Sequence, residues 1–325
     1  MRQSHGLPFI APPFVWGLYR LAAHTPLMPV FGVWLMIADV LSIVAIPLIL
    51  SRLFLGAGLA RTALGAGFYF AAFLGAGVFT ALVANNGTPL YALIALGLIP
   101  AVRRGRWLWF HLAVALATAF KPFYAAFWLV PLLADADARA QWKAGALAVA
   151  GAAAAYAIPW VVAPRLLAAW LHTLTTQTVG HERLGDNLLG AVIAEPISRH
   201  WPRAPYAAQF ALSVVLLLEA LLLGRLSRTQ RIAALVLIAV FLNPRAMRYD
   251  LSTAAIPLLA VAAGAVSRGG SGAGVQAACA AVLAGAMILF SRDMTTDGFL
   301  YAGITAAVLL GAVIASRAPT PQSAV

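Results

Sequence analysis

Apolar runs about as long as a bilayer is thick recur along almost the whole chain, separated by short loops rich in arginine. No other feature constrains the fold as strongly. The runs lie approximately at 30–50, 63–83, 88–102, 107–134, 143–163, 205–224, 231–243, 250–266, 274–290 and 298–316, with a shorter Pro-rich candidate at 7–23. They are continuous and rich in Ala and Leu rather than alternating, and an open sheet cannot satisfy its backbone in lipid, so strands are not expected. The expected fold is all-α: a polytopic transmembrane helical bundle of about 10–12 membrane segments. It forms a single integral membrane domain over residues 1–316, with a disordered cytoplasmic tail rich in Pro, Ser and Ala at 317–325.

Composition supports this reading. Of 325 residues 62% are hydrophobic and 10% charged, whereas roughly a quarter are charged in soluble domains. An ordinary soluble enzyme is excluded. The formal charge of +12 would suggest a nucleic-acid partner in a soluble protein, but here the basic residues punctuate apolar runs and mark topology instead. Membrane lipids, not nucleic acid, are the expected surroundings. The single cysteine, Cys279, sits inside an apolar run, leaving no intrachain disulfide and no cysteine-rich metal site. Pro8, Pro12 and Pro13 break the early apolar stretch, so no cleavable signal peptide is expected.

Arg52, Arg61, the run RRGR at 103–106, Arg139 with Lys143, GRLSRTQR at 224–231, Arg268 and Arg317 all read as cytoplasmic. They share one side only if 107–134 is a hairpin of two short helices bent at Lys121-Pro122, rather than one long kinked helix. A proline removes a backbone donor and breaks the helix ladder, which favours the hairpin. The opposite face then gathers NNG at 85–87, Lys121, a long outer loop at 164–204, NPRAMRYD at 243–250 and SRDMTTDG at 291–298. Within the outer loop, RLGDNLLGAVIAEPI has the character of an interfacial helix.

Several of these residues have the chemistry of a site. Lys121 places an ammonium at or near membrane depth, where a charge needs a partner, water or a ligand; binding a phosphate or acid and simple snorkelling are the two readings. Arg245, Arg248, Tyr249 and Asp250 form the densest polar cluster between apolar runs. Arginines grip phosphate bidentately and a carboxylate accepts a hydroxyl proton, while a local Arg-Asp cap of the following helix fits the same residues. Asn85 and Asn86 suit a plain turn, and their amides also suit sugar hydroxyls. His181, Glu182, Asp186 and Asn187 match no metal-ligand spacing, so no metal is expected. Glu219 is expected to pair with Arg225. Asp39 lies in mid-span and requires a partner or water.

Four segments, in order, resemble glycosyltransferase family 87, a group of GT-C class enzymes that includes polyprenol-phosphate-mannose-dependent mannosyltransferases. PFIAPPFVWGLYRLAAHTPLMPVFGVWLMIADVLSI is similar to the family's aromatic-Pro-Pro-Phe helix and following Trp-bearing span, and ANNGTPLYALIALGLIPAVRRGRW to its polar turn, short helix and basic loop. LAVALATAFKPFYAAFWLVPLL resembles its Lys-Pro hairpin, and FLNPRAMRYDLSTAAIPLLA its late Tyr-Asp-Leu segment. Together they span about residues 8–265.

The resemblance implies a GT-C-like fold and transfer of a hexose, mannose in particular, from a polyprenyl-phosphate donor to a glycolipid or polysaccharide acceptor. The setting it implies is the outer face of a bacterial inner membrane. Lys121, Arg245 and Arg248 would hold phosphate; Asn85, Asn86 and Tyr249 would contact sugar; Asp250 would orient the sugar or act as the base. No cofactor is implied beyond the donor. In the family a first span, followed by a loop bearing the expected base, precedes the Pro-Pro-Phe helix, whereas Met1 stands only eleven residues before Pro12. A late start codon, a fragment, or catalysis by another carboxylate would each account for that. The rival readings are a non-catalytic or truncated membrane subunit and a transporter or flippase of lipid-linked sugars; a transporter would be expected to show repeat symmetry.

Overall fold

The computed structural model describes Gly17 and residues 28–75, 87–134, 139–179, 200–201, 204–223, 226–243 and 248–268. Apart from Gly17, the expected segment at 7–23 lies outside them, as do those at 274–290 and 298–316, the stretch 183–197 and the tail. The described residues form helices and turns without a strand. In chain order the helices are α1 (Met28–Phe54), α2 (Leu59–Gly75), α3 (Thr88–Arg104), α4 (Leu108–Phe120), a 3-10 segment (Pro122–Trp128), α5 (Leu129–Ala134), α6 (Trp142–Val162), α7 (Pro164–Val179), α8 (Ala204–Leu222), α9 (Arg228–Phe241) and α10 (Arg248–Arg268).

Each of the eight apolar runs between 30 and 266 corresponds to helix over most of its described residues, with the run at 107–134 divided among α4, the 3-10 segment and α5. α1 from Val33 to Phe54 and α6 are long and apolar enough to cross a membrane. Trp34 and Leu41 on α1, and Leu147 and Trp160 on α6, project outward from the bundle. α9 is the reverse: every residue from Ile232 to Phe241 is buried, as in a helix that is apolar all round and sits in a core. It packs against α1, α5, α8, α10 and the 3-10 segment.

The first turn of α9 gathers the basic loops at one end. Ser227 caps the helix, its hydroxyl oxygen accepting from the Gln230 N–H in a Ser-x-x-Gln start. Arg228 donates to the carbonyls of Val102 at 2.6 Å and Ala101 at 2.8 Å. α3 ends there because Gly105 takes the left-handed region at φ 66°, and the Arg106 N–H turns back to Pro100. Arg231 donates to Ala134 at 2.8 Å, at the end of α5. Gln141 donates to the Gly105 carbonyl at 2.6 Å and accepts from the Trp107 N–H at 3.1 Å. α4 leaves this basic end and α5 returns to it. The stretch 107–134 is therefore a hairpin, as the arginine pattern requires.

α3 and α4 meet closely at Gly97, where an added Cβ would stand 2.9 Å from the Cα of Phe110. The segment read from sequence as a loop from Pro164 differs from that reading, because α7 occupies its first sixteen residues. Arg165, His172 and the threonines hide this helix from a search for apolar runs. Its inward face carries Leu167 and Trp170, both buried, and Trp170 stacks on Tyr156 of α6 with ring centroids 5.9 Å apart.

Candidate functional site

The site begins with a proline. Pro122 has no N–H, so in a continued helix the Thr118 carbonyl four residues earlier would lose its donor. Lys121, immediately before it, takes an extended backbone at φ −146° and ψ 114°, because proline disfavours the helical region for its predecessor. The Lys121 N–H makes the last helical bond, to Ala117 at 2.9 Å, and the chain turns back as the 3-10 segment. Tyr156 of α6 supplies the missing donor: its hydroxyl lies 2.5 Å from the Thr118 carbonyl and 3.3 Å from that of Ala119.

Helix rise sets the depth of this tip. The 13 residues of α4 lift Lys121 about 20 Å from the basic end. α6 runs parallel to α4, since Trp142 meets His111 edge-on at 5.3 Å near the start and Tyr156 meets Thr118 at the tip. From Tyr156, α6 continues to Val162, about 9 Å further. Lys121 is thus recessed below the far end of α6. Its side chain is half-buried, with Nζ 5.9 Å from the centre of the Phe123 ring.

Three other chain segments reach the same level. Asp39 lies thirteen residues before Arg52 on α1, again about 20 Å along the helix, and its carboxyl is within electrostatic reach of Lys121. Asp39 is only 8% exposed, and its Oδ1 has no hydrogen-bond partner. The Asn-Asn-Gly turn arrives through Gly87, whose carbonyl accepts from the Tyr124 hydroxyl at 3.1 Å. Thr88 and Tyr91 follow, both buried, with Tyr91 edge-on to Tyr124 at 4.9 Å. The third segment joins α9 to α10: Asn243 is buried just past the end of α9, Arg248, Tyr249 and Asp250 form the first turn of α10, and Ser252 and Thr253 are buried behind them. Ser252 shares a side-chain hydrogen bond with Tyr69 of α2.

Of the residues singled out from sequence, Lys121 lies at this level, and the backbones of Arg248, Tyr249 and Asp250 begin α10; the side chains of these three are outside the described residues. Asn85, Asn86 and Arg245 also lie outside them, as do His181, Glu182, Asp186, Asn187 and Arg225. Glu219 Oε2 has no hydrogen-bond partner. No cluster of three metal-ligating side chains occurs among the described residues. Sequence reasoning missed that Asp39 lies within electrostatic reach of Lys121, and it missed the role of Tyr156. The first was signalled only by two charges in apolar surroundings. The second was signalled by the carbonyl that Pro122 leaves without a donor.

The described residues are helical throughout, apart from turns, and carry a buried acid, Asp39, and a half-buried amine, Lys121, between apolar helices on a level far from the basic loops. Residues 9–248 match the model of glycosyltransferase family 87, and the chain belongs to that family. Membership makes it a glycosyltransferase, with a sugar donor and an acceptor as its substrates. No curated protein sequence and no solved structure matches the chain.

Proposed function

We propose that this glycosyltransferase is a polytopic, GT-C-like membrane bundle over residues 1–316 that moves a hexose, mannose in particular, from a polyprenyl-phosphate donor to a glycolipid or polysaccharide acceptor. The reaction takes place outside the cytoplasm, at the bacterial inner membrane. The observation that carries the reading is the level shared by Lys121, Asp39, the turn ending at Gly87 and the first turn of α10, about 20 Å from the arginine-rich end. Basic loops mark the cytoplasmic side, so a recessed cationic tip at the other end suits a charged lipid headgroup at the outer boundary. The outward apolar side chains of α1 and α6 suit contact with lipid.

In this reading the acceptor hydroxyl oxygen attacks the anomeric carbon while Asp250 takes its proton. The bond from that carbon to the phosphate oxygen breaks, and polyprenyl phosphate leaves with the electron pair. Lys121, Arg245 and Arg248 stabilise the charge developing on the leaving phosphate, and Asn85, Asn86 and Tyr249 contact the sugar. No cofactor takes part.

Membrane-impermeant labelling of single cysteines placed at 121, 248 and 104 tests the arrangement. Positions 121 and 248 should react from the outside and position 104 from the cytoplasm; labelling of 121 and 248 from opposite sides removes the shared site.

A further inference from the structure

Tyr124 joins two parts of the site through a single residue. Its N–H donates to the carbonyl of Lys121 at 3.2 Å, and its hydroxyl donates to the carbonyl of Gly87 at 3.1 Å. The residue is fully buried, with its ring 4.6 Å from that of Phe123 and 4.9 Å from that of Tyr91, so close packing leaves it little freedom to swing. Helix formation does not require the hydroxyl. The Gly87 carbonyl already accepts from the N–H groups of Leu90 and Tyr91 in the first turn of α3, and a phenylalanine would fill the same space with no polar group to satisfy. What the hydroxyl adds is a fixed distance between the hairpin tip and the turn that ends at Gly87.

We propose that Tyr124 is a positioning residue that sets the spacing between Lys121, on the phosphate side, and Asn85 and Asn86, on the sugar side, and that this spacing makes the site prefer a polyprenyl phosphate carrying a sugar to the bare lipid phosphate. This deepens the lipid-donor reading and rests on it. A ligand that meets both groups at once gains only when their separation matches its own, whereas one that meets the hairpin tip alone is indifferent to where the turn stands. The preference has a use in turnover: the spent polyprenyl phosphate has lost its sugar, is held less tightly and gives way to fresh donor.

The test uses the full chain in nanodiscs and two probes, polyprenyl-phosphate mannose and polyprenyl phosphate, with the ratio of their dissociation constants as the readout. The parent chain should bind the sugar-bearing lipid more tightly. Tyr124→Phe, which keeps the ring, should weaken binding of that lipid about tenfold and leave binding of the bare phosphate unchanged. Lys121→Met should weaken both alike. In a chain carrying Asn85→Ala and Asn86→Ala, the further change Tyr124→Phe should not move the ratio, because the contacts it positions are gone. Arg228→Ala, which loosens the bundle at its basic end, should keep the parent's ratio, so a general loss of stability is read apart from a loss of spacing. A parent that binds both lipids equally, a Tyr124→Phe chain that keeps the full preference, or a ratio that falls as far in Arg228→Ala overturns the positioning role and leaves the lipid-donor reading standing. A parent that binds neither lipid ends that reading and the positioning role with it.

Discussion

The hydroxyl of Tyr156 stands 2.5 Å from the carbonyl of Thr118, the group that Pro122 cannot serve as donor. Two helices far apart in the chain are joined where the hairpin breaks, and the bond holds Lys121 at its height. Tyr156→Phe keeps the stacking on Trp170 but removes the donor. The expected loss is about 1–2 kcal/mol of stability, read as a lower unfolding temperature in detergent, together with slower sugar transfer. Unaltered stability and rate would show that the tip needs no such tie.

Lys121→Ala is expected to lower transfer from a polyprenyl-phosphate sugar by roughly 100-fold or more, the scale for removing a preorganised group that meets developing charge. Protein level in the membrane should be retained. Lys121→Arg should recover only part of the rate, because the guanidinium is larger and planar. Full activity in Lys121→Ala would remove this residue from the site.

Asp250→Asn keeps the volume at the start of α10 and removes the proton acceptor. Its rate should fall by about 10²–10⁴-fold, the range for a general base, with donor binding little changed. A rate near that of the parent would leave Asp250 as a helix cap only. In that case the base would have to be sought in another carboxylate.

Arg228 holds two carbonyls of α3 from the first turn of α9. Arg228→Ala should destabilise the protein by about 1.5–3 kcal/mol, as expected for hydrogen bonds from a charged donor. Lysine should restore little, since it lacks the two-pronged geometry. Thermal unfolding of the three proteins side by side decides the matter: equal transitions would mean that the arginine serves topology alone.

Gly97→Val places new atoms where a Cβ already comes within 2.9 Å of the Phe110 Cα and 3.0 Å of the Trp109 carbonyl. Backbone cannot give way as a side chain does. The expected cost is about 1–3 kcal/mol. Because α4 carries Lys121, transfer should slow as well. Gly151, with open space around it, is the control: Gly151→Ala should leave both measurements unchanged.

Sequence alone determined where most of the described helices between 30 and 266 run and where the hairpin bends. Long apolar runs leave the backbone no partner but its own helix, and Lys121-Pro122 combines a charge with a missing donor, so both features are local and legible. The same clarity failed for α7, whose Arg165, His172 and threonines dilute the apolar signal although Leu167 and Trp170 are buried. Arg228 and Arg231 were legible as markers of one side but not as clamps on Ala101, Val102 and Ala134.

Only the tertiary structure decided which distant groups meet: Tyr156 with Thr118, Tyr124 with Gly87, and Arg228 with Ala101 and Val102. The reason is physical. Helix formation and apolar patterning act over a few residues, whereas the height and rotation of one helix against another follow from the packing of whole faces. A charge in an apolar run announces that it needs a partner; the packed bundle determines which one.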